Sequence, residues 1–313
     1  MKKMVYVTGC LGFIGSHVTR QCLDLGWYVI GVDKMTYASN EQFLLEFEKY
    51  KNFKFIKSDI NDLDRLYDCD YIINTAAETH VDNSIVSSDV FMKSNVNGVH
   101  HLLKLINERN HFSVPTLLHF STDEVYGDIE QGSHFEHDLL KPSNPYSATK
   151  AAADMLILAW ARTFKSPFVI VRPTNNYGIG QYVEKLIPKS IKSLSVGRKI
   201  GVHDKGLPYR TWLHATDTAN AVITIIKHGV TNEIFNIAGN CEKQNIEVVR
   251  KIIYKFNGDT DIEKYLTSLD RLGQDVRYSI DDTKLKALGW TPTADFDTEL
   301  DKIVEHYKNT FVW

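Results

Sequence analysis

Short apolar runs alternate with helical stretches along the first half of the chain, and this alternation restricts the possible folds more than any other feature. The runs "MVYVTG", "WYVIGVD", "FKFIKSD" and "YIINTAAE" are typical of strands, and helical patterns cover residues 13–25 and the region near 41–49. Apolar strands connected by helices form parallel sheets that are covered on both faces. Two later runs, "TLLHFSTD" and "FVIVRP", continue the pattern. The sequence therefore predicts an α/β fold with a doubly wound parallel sheet of the Rossmann type.

The pattern changes after Arg172, where shorter strands such as "RKIGV" and "RTWLH" are mixed with helices. We expect residues 1–174 to form the domain with the parallel sheet and residues 175–313 to form mainly a smaller, mixed α/β lobe. Part of the segment 213–240 is expected to return to the first domain. The sequence contains no flexible linker between these parts, so the two lobes should pack closely together.

The amino-acid composition limits the kinds of partner that the protein is expected to bind. The chain has 313 residues, 43% of them hydrophobic, which is enough for a sizeable core. Its net charge of −3 provides no basic surface for nucleic acid or for an acidic membrane, so a small-molecule partner is expected. The apolar stretch near the start is too short for a signal sequence, and the longest later apolar run is "MLILAWA". These features predict a cytoplasmic protein.

The cysteines do not form a metal-binding pattern. The chain has four, Cys10, Cys22, Cys69 and Cys241, and they are widely spaced without a CxxC pair or a cluster with histidines. We expect reduced thiols and no metal site.

A glycine-rich turn joins the first strand to the first helix. Gly9, Gly12 and Gly15 lie in "TGCLGFIGS", where glycine allows a tight turn and a close approach of the backbone to a pyrophosphate at the helix N-terminus. Asp33 ends the next strand, 18 residues beyond Gly15, where a carboxylate can accept hydrogen bonds from both hydroxyls of an adenosine ribose. Because a 2′-phosphate would be repelled by Asp33, the pattern predicts NAD rather than NADP.

Three further residues are candidates for the adenosine side of this site. Lys34 follows Asp33, and Asp59 and Ile60 follow the third strand. Each has a structural alternative at this stage, since Lys34 also fits a solvated surface charge and Asp59 also fits a capping residue.

Two adjacent carboxylates follow a strand directly in "HFSTDEVYGD". Thr122, Asp123 and Glu124 follow the apolar run that ends at Phe120, with only Ser121 between them. Neighbouring acids repel each other and lose hydration when they are partly buried, so this arrangement suggests a use in chemistry. The alternative is a solvated turn with a hydrogen bond from the Asp123 side chain to the backbone.

Tyr146 and Lys150 lie four residues apart in "SNPYSATKAAADMLILAWARTF". This stretch predicts a long helix, because Ser143 or Asn144 can cap it and Pro145 suits its first turn. The spacing places the phenol and the ammonium on one face, where the positive charge can lower the pKa of the phenol.

A control lies within the chain. Tyr50 and Lys54 have the same spacing but straddle a loop, so we treat that pair as chance.

On these motifs the sequence resembles the extended short-chain dehydrogenase/reductase superfamily, and within it the nucleotide-sugar 4,6-dehydratases of the dTDP-glucose and UDP-glucose types. The resemblance runs from "VYVTG" to the C-terminal tryptophan and includes "DKMTYASN", "AAETHVDNSI", "STDEVYGD", "NPYSATK", "NNYGIGQYVEKLIP", "NIAGN" and "DRLGQDVRY". The Thr-Asp-Glu triplet is the most specific of these signals, because related epimerases and decarboxylases carry the tyrosine and lysine without this acid pair.

The resemblance implies a reaction without net oxidation. Tyr146 takes the proton of the sugar 4-OH while the hydride of C4 passes to NAD⁺, Thr122 hydrogen-bonds that oxygen, and Lys150 holds the nicotinamide ribose. Glu124 then removes the proton from C5 while protonated Asp123 donates to the departing 6-OH. The hydride returns to C6, which gives a 4-keto-6-deoxy sugar nucleotide and water.

The resemblance also implies the remaining binding residues and a homodimer. The subunits are expected to pair through the helix over 90–108 and the Tyr146 helix. Besides the glycines, Asp33, Lys34, Asp59, Ile60, Tyr146 and Lys150, the cofactor residues are Phe13, Ile14 and Ala76. The expected substrate residues are His80, Asn176, Lys185, Leu186, His203, Arg210 and Arg271.

Several alternatives stay open at the sequence level. His203 replaces a tyrosine that is common in bacterial dTDP-glucose enzymes, which favours UDP-glucose over dTDP-glucose. UDP-GlcNAc is an alternative substrate. A nucleotide-sugar 4-epimerase or decarboxylase is an alternative enzyme, and a noncatalytic NAD-binding regulatory module is the last alternative.

Overall fold

The computed structural model describes residues 2–108, 114–269, 273 and 275–310. The strands are β1 Met4–Thr8, β2 Tyr28–Asp33, β3 Phe53–Lys57, β4 Tyr71–Asn74, β5 Thr116–Phe120, β6 Phe168–Pro173, β7 Asn175–Tyr177, β8 Ile200–His203, β9 Tyr209–His214, β10 Glu233–Ile237, β11 Cys241–Gln244 and β12 Leu266–Leu269. The helices are α1 Phe13–Asp24, α2 Glu41–Phe47, α3 Val81–Val86, α4 Asp89–Phe91, α5 Gly98–Asn107, α6 Pro145–Phe164, α7 Leu186–Ser195, α8 Ala215–His228, α9 Asn245–Asn257, α10 Thr283–Lys286 and α11 Phe296–Asn309.

Seven parallel strands form the central sheet in the order β10-β6-β5-β4-β1-β2-β3. Alternate side chains of β1 enter different cores: Val5 and Val7 pack into one cluster and Tyr6 into the other. Both faces of the sheet are therefore covered by helices, as continuous apolar strands require. The strand order reverses between β1 and β4, and the carboxyl ends of strands at such a reversal form a ligand-binding crevice.

The C-terminal part adds two small sheets. One has the order β11-β9-β7 and the other pairs β12 with β8. Their core contains side chains from α7, α9 and α11. Two elements of the segment 215–237 belong to the large domain, since β10 pairs with β6 and α8 packs against α1.

The long predicted helix is α6, and its start is determined locally. Asn144 is the N-cap: its side-chain oxygen accepts from the Ser147 backbone N–H at 2.9 Å, and Ser147 Oγ accepts in return from the Asn144 N–H at 3.3 Å. Pro145 occupies the first helical position, where its missing N–H costs nothing. Of the two residues predicted as possible N-caps, Ser143 and Asn144, Asn144 is therefore the one that caps α6.

The helix predicted over 90–108 is interrupted. A π-helical turn, Met92–Asn97, separates α4 from α5. The Asn95 side chain in this turn accepts from the Glu78 N–H at 2.9 Å and donates to Thr149 Oγ1 of α6 at 3.0 Å. Long-range bonds of this kind are not visible in the sequence, so the interruption of this helix was not predicted.

Two global expectations can be compared with the described residues. Within them, no helix is long and apolar enough to cross a membrane. All four cysteines are free thiols, three of them buried and Cys241 half-buried.

Candidate active site

The carboxyl ends of the central strands surround a cleft that holds most of the predicted site. The glycine turn lies on one side, and the segment after β5 and the start of α6 lie on the other. Gly9, Thr122, Glu124 and Tyr146 are among the residues that line it. The motifs that were separate in the sequence are therefore neighbours at the reversal of strand order.

The glycine turn has the geometry of a pyrophosphate site. Gly9 has φ +70°, and a Cβ there would lie 2.8 Å from the Ala76 backbone nitrogen. A Cβ on Gly15 would lie 2.0 Å from the Gly9 oxygen, so both positions require glycine. No side chain caps α1 at Gly12, and Phe13, Ile14 and Gly15 line the cleft. The first N–H groups of α1 are thus free of a side-chain cap where an anion would bind.

Asp33 is held in place at the end of β2. Its Oδ1 accepts from the Met35 N–H and the Ser39 hydroxyl, both at 2.8 Å, and its Oδ2 accepts from the Leu11 N–H at 3.0 Å. An ionised carboxylate has about four acceptor positions, so Asp33 keeps capacity for a ribose hydroxyl. These features fit NAD.

The adenosine side of the cleft is lined by Asp33 together with Lys34, Asp59, Ile60 and Ala76. Lys34 donates to Ser94 Oγ at 3.2 Å, and its Nζ lies 3.7 Å from Asp59 Oδ2, so it is more than a solvated surface charge. The Asp59 side chain accepts from the Asn61 N–H at 3.0 Å, so this residue caps a short 3₁₀ turn and also lines the cleft.

Asp123 is buried in the cleft. Thr122 Oγ1 donates to Asp123 Oδ1 at 3.1 Å, and Oδ2 has no hydrogen-bond partner among the described residues. The side chain is only 3% exposed, so the alternative of a solvated turn is wrong for this residue. Burial, reinforced by the neighbouring charge of Glu124, raises the pKa of Asp123 to about 7.

Glu124 has a different environment. Burial raises its pKa, whereas the Arg210 guanidinium, a hydrogen bond from Asn144 and the Lys185 ammonium act in the opposite direction. Asn144 Nδ2 donates to Glu124 Oε2 at 3.5 Å. Burial therefore raises the pKa of both carboxyl groups, and at Glu124 two cations and a hydrogen bond oppose the shift.

Tyr146 lies in the first turn of α6, where its N–H donates to Ser84 Oγ at 3.1 Å. Burial and the charge of Glu124 raise the pKa of its phenol, and a hydrogen bond with Thr122 partly offsets this. The lowered phenol pKa predicted from the Tyr146–Lys150 spacing is therefore wrong for the protein alone. The reason is that desolvation and two carboxyl groups dominate.

Lys150 lies behind the cleft. Its Nζ donates to the Phe120 carbonyl at 2.5 Å and lies 3.2 Å from His119 Nε2. These two contacts on β5 are its hydrogen bonds within the described chain. Burial lowers the pKa of Lys150 to about 8, and Asp154 acts in the opposite direction.

The pair set aside as chance is separated in the structure. The Tyr50 hydroxyl donates to Asp24 at 2.9 Å, and the Lys54 ammonium lies over the ring of Tyr67.

The predicted substrate residues line an adjoining cleft that shares Glu124 with the first. Lys185 donates to the Thr79 carbonyl at 3.1 Å, and the Arg210 guanidinium lies 4.4 Å from the centre of the Tyr278 ring. Arg271 lies outside the described residues. The members of this cleft that the sequence predicted are His80, Asn176, Lys185, Leu186, His203 and Arg210.

Two of these residues also have structural contacts. His80 caps α3 by accepting from the Asn83 N–H at 3.3 Å, so the structural alternative for this histidine holds alongside its place in the cleft. His203 Nε2 lies 3.5 Å from Asp82 Oδ2.

Sequence reasoning missed three polar residues at the site. Asn144 was expected only as a cap, and its contact with Glu124 depends on the fold. His119 contacts Lys150, and Asp275, in the substrate cleft, contributes its backbone oxygen to Arg210 at 3.1 Å. His119 precedes the acid pair by four residues, and this proximity was the one available signal.

A Rossmann-type sheet with this glycine turn and a buried tyrosine and lysine on one helix defines an extended short-chain dehydrogenase/reductase. The family described as GDP-mannose 4,6 dehydratase matches residues 6–303. The chain belongs to this family of nucleotide-sugar 4,6-dehydratases.

Individual relatives cover nearly the whole chain. The low-salt glycan biosynthesis protein Agl12 of Haloferax volcanii is 39% identical over 308 residues, 97% of this chain and 98% of the relative. The dTDP-glucose 4,6-dehydratase of Streptomyces niveus is 37% identical over 320 residues, 99% and 94% of the two chains. The crystal structure of the dTDP-glucose 4,6-dehydratase DesIV of Streptomyces venezuelae, with NAD and TYD bound, has a TM-score of 0.92, with 34% identity and coverage of 98% and 97%.

These comparisons confirm the predicted fold class and family. The predicted hydro-lyase activity and the predicted cofactor NAD agree with them.

Proposed function

We propose that Thr122, Asp123, Glu124 and Tyr146 convert a nucleoside diphosphate glucose into its 4-keto-6-deoxy derivative and water. The observation that carries this assignment is the pair of adjacent carboxyl groups in one cleft with Tyr146, each in a different electrostatic environment. An elimination needs an acid and a base at neighbouring carbon atoms, and two carboxyl groups with separated pKa values can divide these roles.

The chain's own residues supply the proton transfers. Bound NAD supplies the acceptor and later the donor of one hydride. Tyr146 accepts the proton of the sugar 4-OH as its phenolate, a form that burial disfavours in the protein alone, and the Thr122 hydroxyl hydrogen-bonds the same oxygen. Once C4 is a ketone, the proton on C5 becomes acidic, and Glu124 removes it. Asp123 gives its proton to the departing 6-OH, which leaves as water.

The environments support this division of roles. Asp123 has a pKa of about 7, so a large share of it keeps its proton near neutral pH, as a general acid requires. Arg210 and Lys185 favour the ionised form of Glu124, as a general base requires. Asp123 fits the role of base less well, because the neighbouring charge of Glu124 adds to the effect of burial and favours its neutral form.

The glycine turn and Asp33 support NAD as the cofactor. The first N–H groups of α1 would bind the pyrophosphate, and Asp33 would bind the adenosine ribose and repel the 2′-phosphate of NADP. Lys34, Asp59, Ile60 and Ala76 would surround the adenosine, and Lys150 would hold the nicotinamide ribose.

The sugar nucleotide would occupy the second cleft, with its diphosphate at Lys185, Arg210 and Arg271. Guanidinium groups match phosphate oxygens in charge and geometry. The relative from Streptomyces niveus is a dTDP-glucose enzyme, whereas His203 favours UDP-glucose, so the two pyrimidine nucleotides are the substrates to compare.

The substrate assignment has a direct test. Purified protein is incubated separately with dTDP-glucose, UDP-glucose and UDP-GlcNAc, and products are analysed by mass spectrometry. We expect loss of one water from at least one of the glucose nucleotides. A product of unchanged mass would indicate a 4-epimerase, and loss of water from UDP-GlcNAc alone would contradict the assignment of glucose.

We assign cofactor binding to residues 1–174 with part of 213–240, and sugar-nucleotide binding to the rest. The enzyme is proposed to be a cytoplasmic homodimer that pairs through α5 and α6. Met155 and Phe164 on α6 are apolar side chains that are exposed in the single chain, which supports a dimer interface that covers this surface.

A further inference from the structure

A buried line of polar side chains leads away from Lys150 into the sheet. Lys150 Nζ lies 3.2 Å from His119 Nε2, and His119 Nδ1 lies 3.0 Å from the Asn74 side-chain nitrogen. The Asn74 side-chain oxygen accepts from the Thr8 hydroxyl at 2.6 Å. Thr8, Asn74 and His119 belong to β1, β4 and β5, and all four side chains are buried. A buried line of this kind has no function in the reaction described above.

Each member of this line can both donate and accept a hydrogen bond. A hydroxyl, a primary amide and a neutral imidazole all have this property. Burial, together with the charge of Lys150, lowers the pKa of His119 well below its usual value, so the imidazole is neutral and carries one ring proton. The position of that proton then depends on the neighbours.

The line fits both charge states of Lys150. In the first direction Thr8 donates to Asn74, Asn74 donates to Nδ1, and Nε2–H points at the lone pair of a neutral amine. In the second direction the ammonium donates to Nε2, Nδ1–H donates to the Asn74 oxygen after the amide turns over, and Thr8 accepts. Both directions keep a hydrogen bond between Lys150 and His119, between His119 and Asn74, and between Asn74 and Thr8, so neither charge state of Lys150 breaks the line.

We propose that Thr8, Asn74 and His119 form a reversible hydrogen-bond chain that lets Lys150 gain and lose a proton inside the protein, with His119 as the positioning residue. The other groups that face the ammonium are the Phe120 carbonyl and Asp154, whose charge is shared with Arg172 at 2.9 Å. The Phe120 carbonyl can only accept a hydrogen bond, and Asp154 Oδ2 already accepts from Arg172 and Ser121. His119 is therefore the contact that adapts to the charge of Lys150.

The hydrogen-bond chain has a role in enzyme turnover, and this part of the proposal rests on the proposed function. Oxidation at C4 leaves the proton of the 4-OH on Tyr146. Elimination moves one proton from C5 to Glu124 and one from Asp123 to the departing 6-OH, and the C5 proton returns when the hydride is added at C6. The turnover is complete only when the extra proton on Tyr146 has moved to Asp123, and the protein has to hold this proton in the interval. The pKa of Lys150 is about 8, so both its charged and its neutral form are accessible near neutral pH, and the side chain can hold this proton.

The test uses the ring nitrogens of histidine and does not depend on activity. The NAD-containing protein is labelled with ¹⁵N-histidine, and the signals of His119 are identified by their loss in His119→Gln. We expect His119 to remain neutral from about pH 6 to 10 while its proton moves from Nδ1 to Nε2, with a midpoint near the Lys150 pKa of about 8. A single tautomer over the whole range, or an imidazolium, would overturn the proposal.

The variant Asn74→Asp is expected to shift the midpoint of this tautomer change in a defined direction. In Asn74→Asp the carboxylate only accepts, so it favours the tautomer with the proton on Nδ1, and its charge stabilises the ammonium. The midpoint should rise by about one pH unit or more. An unchanged midpoint in folded Asn74→Asp contradicts the chain. If this variant does not fold, Thr8→Val serves the same purpose, because loss of its hydroxyl must also move the midpoint.

Turnover provides the second measurement. His119→Phe removes the reversible contact, whereas His119→Gln keeps an amide that can donate or accept. We expect kcat to fall about 10-fold or more in His119→Phe and less in His119→Gln, with KM within about twofold. His101→Gln is the control, since that histidine contacts the Leu63 carbonyl at 2.8 Å on another part of the fold. Equal kcat in His119→Phe and His101→Gln would overturn the role of the hydrogen-bond chain in turnover but leave the NMR result intact. Inactivity of the wild-type protein on every sugar nucleotide would overturn the proposed function alone.

Discussion

At the scale of single residues, the site depends on what burial does to neighbouring ionisable groups. Asp123 and Glu124 are adjacent in sequence and burial raises the pKa of both, but Glu124 faces Arg210 and Lys185 and accepts a hydrogen bond from Asn144, whereas Asp123 adjoins the charge of Glu124. Desolvation favours the neutral form of a carboxyl group, and a nearby cation favours the ionised form. Two chemically similar side chains can therefore serve as acid and base in the same elimination.

The raised pKa of Asp123 predicts a pH dependence. A general acid works in its protonated form, and the pKa of about 7 means that this form decreases as the pH rises through 7. The rate of water loss should fall by about tenfold per pH unit well above that value. Rapid-quench measurement of product from pH 6 to 9 checks this, and in Asp123→Asn the residual rate should lack this decrease. A wild-type rate that increases between pH 7 and 9 would show that Asp123 is not the acid.

At the scale of secondary-structure elements, the start of α6 combines one feature that depends on nearby residues with one that depends on the tertiary fold. Its N-terminus was predicted from the sequence because Asn144, Pro145 and the alanine-rich stretch act locally. The contact of Asn144 with Glu124 was not predicted, because the two residues are 20 positions apart and meet only after β5 and α6 pack. The cap therefore also contacts Glu124, the proposed base.

Asn144→Ser separates these two roles. Serine caps a helix about as well as asparagine, but its shorter side chain does not reach Glu124. We expect an unfolding temperature close to that of the wild type and a rate of C5 proton removal lowered by about 3- to 10-fold, the value of a modest hydrogen bond. Differential scanning calorimetry and solvent-deuterium incorporation at C5 provide the two readouts. Loss of stability without a change in deuterium incorporation would mean that Asn144 acts only as a cap.

The same distinction between local and long-range information explains how much of the molecule could be predicted. The glycine turn, Asp33, the acid pair and the start of α6 are short motifs whose chemistry depends on nearby residues. The π-helical turn depends on bonds from Asn95 to Glu78 and Thr149, and β7 and β12 are short strands defined by distant partners. Likewise, the direction of the Tyr146 pKa shift depends on burial, which spacing does not reveal.

At the scale of the whole molecule, the proposed reaction depends on two parts of the chain that meet at Glu124. The strand ends of the large sheet provide the glycine turn and Asp123, α6 provides Tyr146, and the C-terminal part provides Lys185 and Arg210. Binding of the sugar nucleotide between them would place the sugar against the acid pair.

The proposed homodimer makes a prediction at this scale. Met155 and Phe164 on α6 are 49% and 47% exposed in the single chain. We expect a dimer in light scattering at micromolar concentration and a monomer for Met155→Glu, because an unpaired charge in an apolar interface is unfavourable. Leu45→Glu is the matched control: Leu45 is 56% exposed on α2, away from this surface, and the variant should remain dimeric. A monomeric wild type, or a dimer that survives Met155→Glu, would contradict pairing through α6.

The central claim is that Asp123 and Glu124 carry out the elimination after Tyr146 has begun the oxidation. It is tested most directly by single-turnover absorbance of NADH together with rapid-quench analysis of product. In Asp123→Asn and Glu124→Gln, NADH should still form while water loss slows by about 10² to 10⁴, and in Tyr146→Phe no NADH absorbance should develop. If both carboxyl variants release water at the wild-type rate, the acid pair is only a structural turn and the account of the reaction is wrong.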